Sequence, residues 1–315
     1  FGKEPQGLNE FESAVLSALV RSPNAGIDAV CARACALART LQSASGCAQT
    51  DAVARNSLSK PYAVRPAASL APHVARLLLG SGNEGGENRA RSIVCTLDSS
   101  LQAFAAETLR HHVLSARSKN MQDGAALVVD NGSGDILAYA GNIGDQSSAR
   151  FVDGVRAMRQ AGSTLKPLVY ALAFDERILT PVSLMDDSPL DIPVTGGVYR
   201  PKNYDNRFHG MVTARVALAS SLNVPAVKAL NLIGVDRFVG TMQRLDFRNI
   251  REPEYYGLSI ALGSADITLW DLVAAYRSLA NGGVWSPIHL ASAGAQEAPR
   301  RIFSQEAAFL VADII

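Results

Sequence analysis

The sequence is short of most features that would assign a function by composition alone. No apolar run in its 315 residues reaches the roughly 18 that a membrane helix needs, so no span of that kind is expected. An excess of one charge is missing too: 30 Lys+Arg stand against 29 Asp+Glu, a net charge of +1, which excludes a basic nucleic-acid binder and an acidic tail protein. Four cysteines are too few for a disulfide scaffold. Cys31 and Cys35, four apart in an Ala-rich helical stretch, read as small core residues. Neither Cys-x-x-Cys nor His-Glu-x-x-His occurs, and the adjacent His111 and His112 leave a helix in different directions. No metal and no other cofactor is expected. What remains is globular, 48% hydrophobic and 19% charged, and long enough for two ordinary domains or one large one with attachments. The chain opens on Phe1 without a signal-peptide pattern and stops inside the apolar run 309–315, so it reads as an interior piece of a longer protein.

Three textures follow one another. Residues 8–60 read as helices: Asn9 with Glu12 forms a capping-box start, and Phe11, Val15, Ala18 and Leu19 recur near helical spacing. Asp28 is expected to cap a second helix reaching about Leu41. Pro61, Pro66 and Pro72, followed by the Gly-rich stretch 80–86, mark a linker. Beyond it, 92–97 reads as a short strand and Asp98 as the cap of a helix over 99–117. The alternating runs 125–130 and 135–141, joined by Asn131-Gly-Ser-Gly134, predict a hairpin. Helices are expected at 164–175, 212–220, 225–233 and 268–280, the last opened by Thr268 with Asp271 and closed at Asn281-Gly282. A hairpin followed by helices predicts an α+β architecture.

The candidate chemistry lies in Gly162-Ser-Thr-Leu-Lys-Pro167, at the head of an apolar helix. Ser163 and Lys166, three apart, share a helix face. A serine hydroxyl needs a neighbouring base to become nucleophilic, and a lysine amine can serve once apolar burial lowers its pKa. The backbone N–H of a serine at a helix start also faces the charge that develops on an attacked carbonyl. Ser221-Leu-Asn223, in the junction between two helices, offers a hydroxyl to pass a proton and an amide to bind a peptide group. Asn223 is expected to cap the next helix as well, with Pro225 in its first turn.

A second Ser-x-x-Lys-Pro, Ser57 to Pro61, is followed by Ser118-Lys-Asn120 at nearly the same spacing, and Ser81-Gly-Asn83 is a further Ser-x-Asn. Context separates the two sets. Ser57 leads into Pro-rich linker rather than an apolar helix, and Ser118 lies at the polar tail of one.

Arg159-Gln-Ala-Gly-Ser-Thr-Leu-Lys-Pro-Leu-Val-Tyr-Ala-Leu-Ala173 resembles the active-site region of class A penicillin-binding proteins, the 1C subtype in particular. Tyr199-Arg-Pro-Lys-Asn-Tyr-Asp205, His209-Gly210, 217–227, 261–268 and 275–283 are similar to the family's following blocks in the same order. The stretch 8–24 resembles the end of its lysozyme-like glycosyltransferase domain. The resemblance implies a C-terminally truncated serine β-lactamase/transpeptidase-like domain over 121–315, a linker region over 61–120, and the helical tail of a glycosyltransferase domain over 1–60.

It further implies peptidoglycan synthesis at the periplasmic face of the bacterial inner membrane, with a single-pass anchor upstream. The partners implied are D-Ala-D-Ala stem peptides, β-lactams and, for the full-length protein, lipid II. Ser163 would be the acylated nucleophile, Lys166 its base, Ser221 a proton relay and Asn223 a ligand of the substrate amide. The family's third motif, Lys-Thr-Gly, is absent, since no Lys-x-Gly of any kind occurs; it is expected beyond Ile315. The glycosyltransferase glutamates are expected before Phe1, so the piece alone should neither polymerise glycan nor cross-link. The rival readings are a β-lactamase or D,D-carboxypeptidase, and a low-turnover β-lactam-binding scaffold of the wall-building complex. Tyr204, Asp205 and His209 read as structural loop residues, with a cleft-lining role left open.

Overall fold

The computed structural model describes residues 7–40, 46–59, 70–80, 93–194, 197–291 and 297–315. The chain divides into two compact units, Phe1–Ala68 and Ser69–Ile315. Among the described residues, no helix is long and apolar enough to cross a membrane.

The first unit packs three helices, α1 (Glu10–Val20), α2 (Ile27–Thr40) and α3 (Gly46–Leu58), around Val15, Ala18, Val30, Cys31, Ala34 and Ala54. The expected capping box opens α1. Asn9 Oδ1 accepts the Glu12 N–H at 2.9 Å, and the Glu12 carboxylate accepts the Asn9 N–H at 3.0 Å. Asp28 is not a cap: α2 already begins at Ile27, and the Asp28 carboxylate pairs with Arg55 of α3 at 2.9 Å. Cys35 departs from its expected role as a plain core residue, because it is disulfide-bonded to Cys47. Spacing within α2 carries no information about which residue of α3 comes alongside. Cys31 is buried and free, as read.

The second unit opens with α4 (Pro72–Gly80) and α5 (Ser99–Ser115), the latter capped by Asp98, which accepts the Leu101 N–H at 2.7 Å. Both helices lie within the stretch expected as linker, of which 61–69 and 81–92 fall outside the described residues. Of the strand expected at 92–97, the described residues 93–97 form none. They are tied by isolated bonds from Thr96, the N–H to the Leu290 carbonyl and the hydroxyl to that of Ile136.

The predicted hairpin does form, as β1 (Ala126–Val129) antiparallel to β2 (Ile136–Ala140), with a bulge between Val128 and Val129. Gln102 of α5, 2% exposed, locks helix to hairpin: its amide accepts the Tyr139 N–H at 2.7 Å and donates to the Tyr139 carbonyl at 3.0 Å.

The remaining elements include one buried helix, α6 (Lys166–Asp175). In chain order they are β3 (Arg159–Gln160), α6 (Lys166–Asp175), β4 (Leu184–Asp187), β5 (Ile192–Val194), β6 (Gly197–Tyr199), β7 (Gly210–Thr213), α7 (Ala214–Ala219), α8 (Asn223–Ile233), α9 (Val235–Arg244) and α10 (Pro253–Tyr256). β8 (Asp266–Ile267), α11 (Leu269–Ala280), β9 (Val284–Trp285), β10 (Arg300–Arg301) and α12 (Gln305–Ile314) complete the unit.

Every α6 residue from Lys166 to Phe174 is buried. A helix apolar on all sides must sit in the middle of a core, and α6 packs against α8 and α12, which bring Val227, Leu230 and Val311 to the same cluster. Full burial of a leucine such as Leu168 contributes about 2 kcal/mol. The helix expected over 212–220 starts later. Thr213 accepts the Val216 N–H as N-cap of α7, and the preceding residues pair with β4 in the register Met185↔Val212 and Asp187↔Gly210. The architecture is α+β, and among the described residues its strands occur in two-stranded antiparallel pairs.

Candidate active site

Ser163 lies in a 3-10 turn, Gly162–Leu165, that runs directly into α6; the Lys166 N–H donates to the Ser163 carbonyl. In a 3-10 turn residues i and i+3 eclipse, so Ser163 and Lys166 share a face. Backbone contacts hold the turn. Ala161 and Gly162 donate their N–H groups to the carbonyls of Ala265 and Gly263 at 3.0 and 3.1 Å, extending the β3–β8 pairing. Gly162 (φ 59°) and Gly263 (φ 77°) both occupy the left-handed region, and a Cβ at Gly263 would run into the Gly162 backbone. From α11, the Tyr276 hydroxyl donates to the Thr164 carbonyl at 2.8 Å. The Ser163 side chain is exposed, and no hydrogen bond to its hydroxyl is present among the described residues.

Lys166 is 1% exposed. Its ammonium reaches across to the junction before α8, donating to the Ser221 carbonyl at 2.5 Å, Asn223 Oδ1 at 2.6 Å and Ser221 Oγ at 3.1 Å. Burial pushes its pKa down to about 8. The chemistry follows from the partner types. The two shortest contacts are to oxygens that only accept, and the longest is to a hydroxyl that can donate. A neutral Lys166 therefore keeps both amide-type acceptors and turns its lone pair towards a hydroxyl proton.

Ser221 is exposed and held at φ 52°, in the left-handed region. Asn223 is half-buried and is the first residue of α8 rather than its cap, Leu222 occupying the cap position. Its Nδ2 donates to the Lys202 carbonyl at 2.7 Å, which leaves Oδ1 facing Lys166.

Lys166, Ser221 and Asn223 thus meet directly, and Ser163 stands three residues before Lys166 in the turn that leads into α6. Of the competing set, Ser57 lies on α3 of the first unit, Ser118 and Asn120 lie in the second, and Lys60, Ser81 and Asn83 fall outside the described residues. A cavity of about 580 Å³ lined by Gln160, Ala161, Thr164 and Thr268 opens beside the Ser163 turn. Among the described residues, no cluster of His, Cys, Asp or Glu is fit to hold a metal.

Two residues without an expected role stand behind this arrangement. Asn203, 4% exposed, accepts the Asn223 N–H at 2.8 Å, and Asp187, fully buried, accepts both contacts from the Asn203 amide nitrogen. Asp187 also binds the His209 backbone N–H and ring at 2.9 and 2.8 Å. Tyr204 is wholly exposed, and Asp205 accepts the Arg207 N–H in the same loop. The Asn203 sequence context showed a polar residue in a loop and no sign of its distant partners.

Residues 124–315 match the model of the penicillin binding protein transpeptidase domain. Penicillin-binding protein 1C of Escherichia coli (strain K12) is 32% identical over 333 aligned positions, which cover 97% of this chain and 41% of that protein. The chain therefore spans about two fifths of the length of that relative. A solved structure of penicillin-binding protein 1A from Haemophilus influenzae superimposes with a TM-score of 0.73 at 18% identity, covering all of this chain and 68% of that one. A peptidoglycan glycosyltransferase from Burkholderia ambifaria gives a TM-score of 0.59, also at 18% identity, over 70% of this chain and 72% of that one. At this identity the two structural likenesses speak for the fold.

Proposed function

The chain belongs to the penicillin-binding protein transpeptidase family, and from that premise we propose that it is part of a bifunctional peptidoglycan synthase whose second unit cross-links stem peptides through a Ser163 acyl-enzyme. The observation that carries this reading is the Lys166 side chain, buried beneath the Ser163 turn and hydrogen-bonded to both Ser221 and Asn223.

Ser163 Oγ attacks the carbonyl carbon of the penultimate D-Ala as its proton passes to the neutral Lys166 amine. The negative charge formed on the carbonyl oxygen faces the Ser163 N–H, whose position in a first turn leaves it without an intrahelical acceptor. The C–N bond then breaks, and the departing D-Ala amine takes a proton from the Lys166–Ser221 pair. An amine of a second stem peptide attacks the ester and gives a proton to the neutral Lys166 amine; the acyl C–O bond breaks, and Ser163 Oγ takes that proton back as the new amide leaves. Water in place of that amine gives a D,D-carboxypeptidase. Asn223 orients the bound peptide amide. A β-lactam follows the first half and stalls as the ester.

The first unit is read as the tail of a glycosyltransferase domain that polymerises lipid II in the full-length protein, with the catalytic part and the membrane anchor upstream. The Cys35–Cys47 disulfide supports a location on the periplasmic side of the membrane, since such bonds persist in oxidising compartments.

The test is the intact mass of the full-length protein after incubation with benzylpenicillin, beside Ser163→Ala and Ser57→Ala. A single adduct lost only with Ser163→Ala is expected. No adduct on the folded wild-type protein would overturn the reading.

A further inference from the structure

Asp187 is a fully buried carboxylate to which, among the described residues, no Lys or Arg is ion-paired. Burying such a charge is costly unless its oxygens are satisfied, and here every contact is a directed hydrogen bond. The Asn203 amide nitrogen lies 2.9 and 2.8 Å from its two oxygens, and the His209 backbone N–H and ring nitrogen reach one of them. A carboxylate only accepts, so Asp187 dictates which end of the Asn203 amide faces it. The Arg207 carbonyl takes the same nitrogen at 2.8 Å and reinforces that choice.

Asn203 Oδ1 must then face the opposite way, towards the start of α8. It accepts the Asn223 N–H at 2.8 Å and the Val224 N–H at 3.3 Å. Those amides open the helix, and the residue at its own cap position, Leu222, has no side chain to bind them. The cap of α8 is thus supplied from a loop twenty residues upstream. The segment it holds carries Ser221 and Asn223, whose backbone carbonyl, hydroxyl and Oδ1 are the three acceptors of the Lys166 ammonium.

Resting on the acyl-enzyme reading above, we propose that Asp187 and Asn203 are positioning residues of the acylation step: they clamp the first turn of α8 so that Ser221 and Asn223 meet the Lys166 amine. Neither needs to touch the substrate. The clamp acts by polarity, running from carboxylate to amide to helix N–H, and so it can be reversed across one bond.

The experiment follows adduct mass against time at several benzylpenicillin concentrations in the full-length protein, which separates the limiting acylation rate from the dissociation constant of the preceding complex. The variants are Asn203→Ala, Asn203→Asp, and the double exchange Asp187→Asn with Asn203→Asp. Asn203→Asp sets two carboxylates against each other. The double exchange restores an acceptor for the α8 amides and a donor opposite it.

Both single variants should lose about 100-fold in the limiting rate with little change in the dissociation constant, the scale of an ångström-sized misplacement of a catalytic group. The double exchange should recover most of that loss. Single variants that acylate at the wild-type rate would overturn the proposal. So would a change seen only in melting temperature, or a double exchange no faster than Asn203→Asp. A wild-type protein that takes no adduct, or a Ser163→Ala variant that still does, would remove the acyl-enzyme reading itself and the clamp with it.

Discussion

Lys166 can take a proton only as a free amine, and its surroundings set how often it is one. Burial brings its pKa from 10.5 down to about 8. At pH 7 roughly one Lys166 in ten is then neutral, against about one in three thousand for an exposed lysine. That is about 300-fold more of the reactive form, or about 3 kcal/mol. The second-order rate of acylation by benzylpenicillin should therefore rise about tenfold per pH unit below neutrality and level off above a midpoint near 8.

Adduct formation by intact mass across a buffer series measures this directly. Lys166→Arg should be slow at every pH, because a guanidinium does not deprotonate in this range. A rate independent of pH between about 6 and 9, a midpoint near the lysine's ordinary 10.5, or a reactive Lys166→Arg would refute the reasoning. The same shift has a sign in stability. Between about 8 and 10.5 the unfolded lysine still holds the proton that the native one has released, so stability rises with pH across that window. As pH falls through 8 that gain is lost.

Three further outcomes are expected. Gly263→Ala forces a side chain into the Gly162 backbone at φ 77°, so the Ser163 turn must move; acylation should fall roughly 100-fold with a lower melting temperature. Arg277, 5% exposed, donates to the carbonyls of Asn131, Gly132 and Ser286 and to the Ser286 hydroxyl. Arg277→Ala should cost about 3 kcal/mol and lower the melting temperature by about 5–10 °C on calorimetry, since the hairpin-turn carbonyls lose their donor. Cys35→Ser removes the bond that closes a 12-residue separation between α2 and α3. The first unit should lose about 2–3 kcal/mol and be cleaved faster in limited proteolysis of the full-length protein, as should the wild type after reduction.

What the sequence determined by itself is local. The Asn9, Asp98 and Thr268 caps, the Asn131–Gly134 turn and the apolar run behind Ser163 all act over a few residues, and each appears in the fold where its pattern stands. The same locality singled out Ser163 over Ser57, because an apolar helix follows only the former. Patterns failed where a neighbour distant in sequence decides. Residues 93–97 found too few ladder partners, Asp28 met Arg55, and Cys35 met Cys47. The short pairings β3–β8 and β4–β7 exist only because remote segments arrive beside each other.

Nor could spacing alone show that Lys166 reaches Ser221, 55 residues on, or that Asn203 caps α8 under the direction of a buried Asp187. A polar residue in a loop has the same local signature whether it faces water or a buried carboxylate. Only packing the whole unit around α6 excludes water from that place and leaves each donor a single acceptor to find.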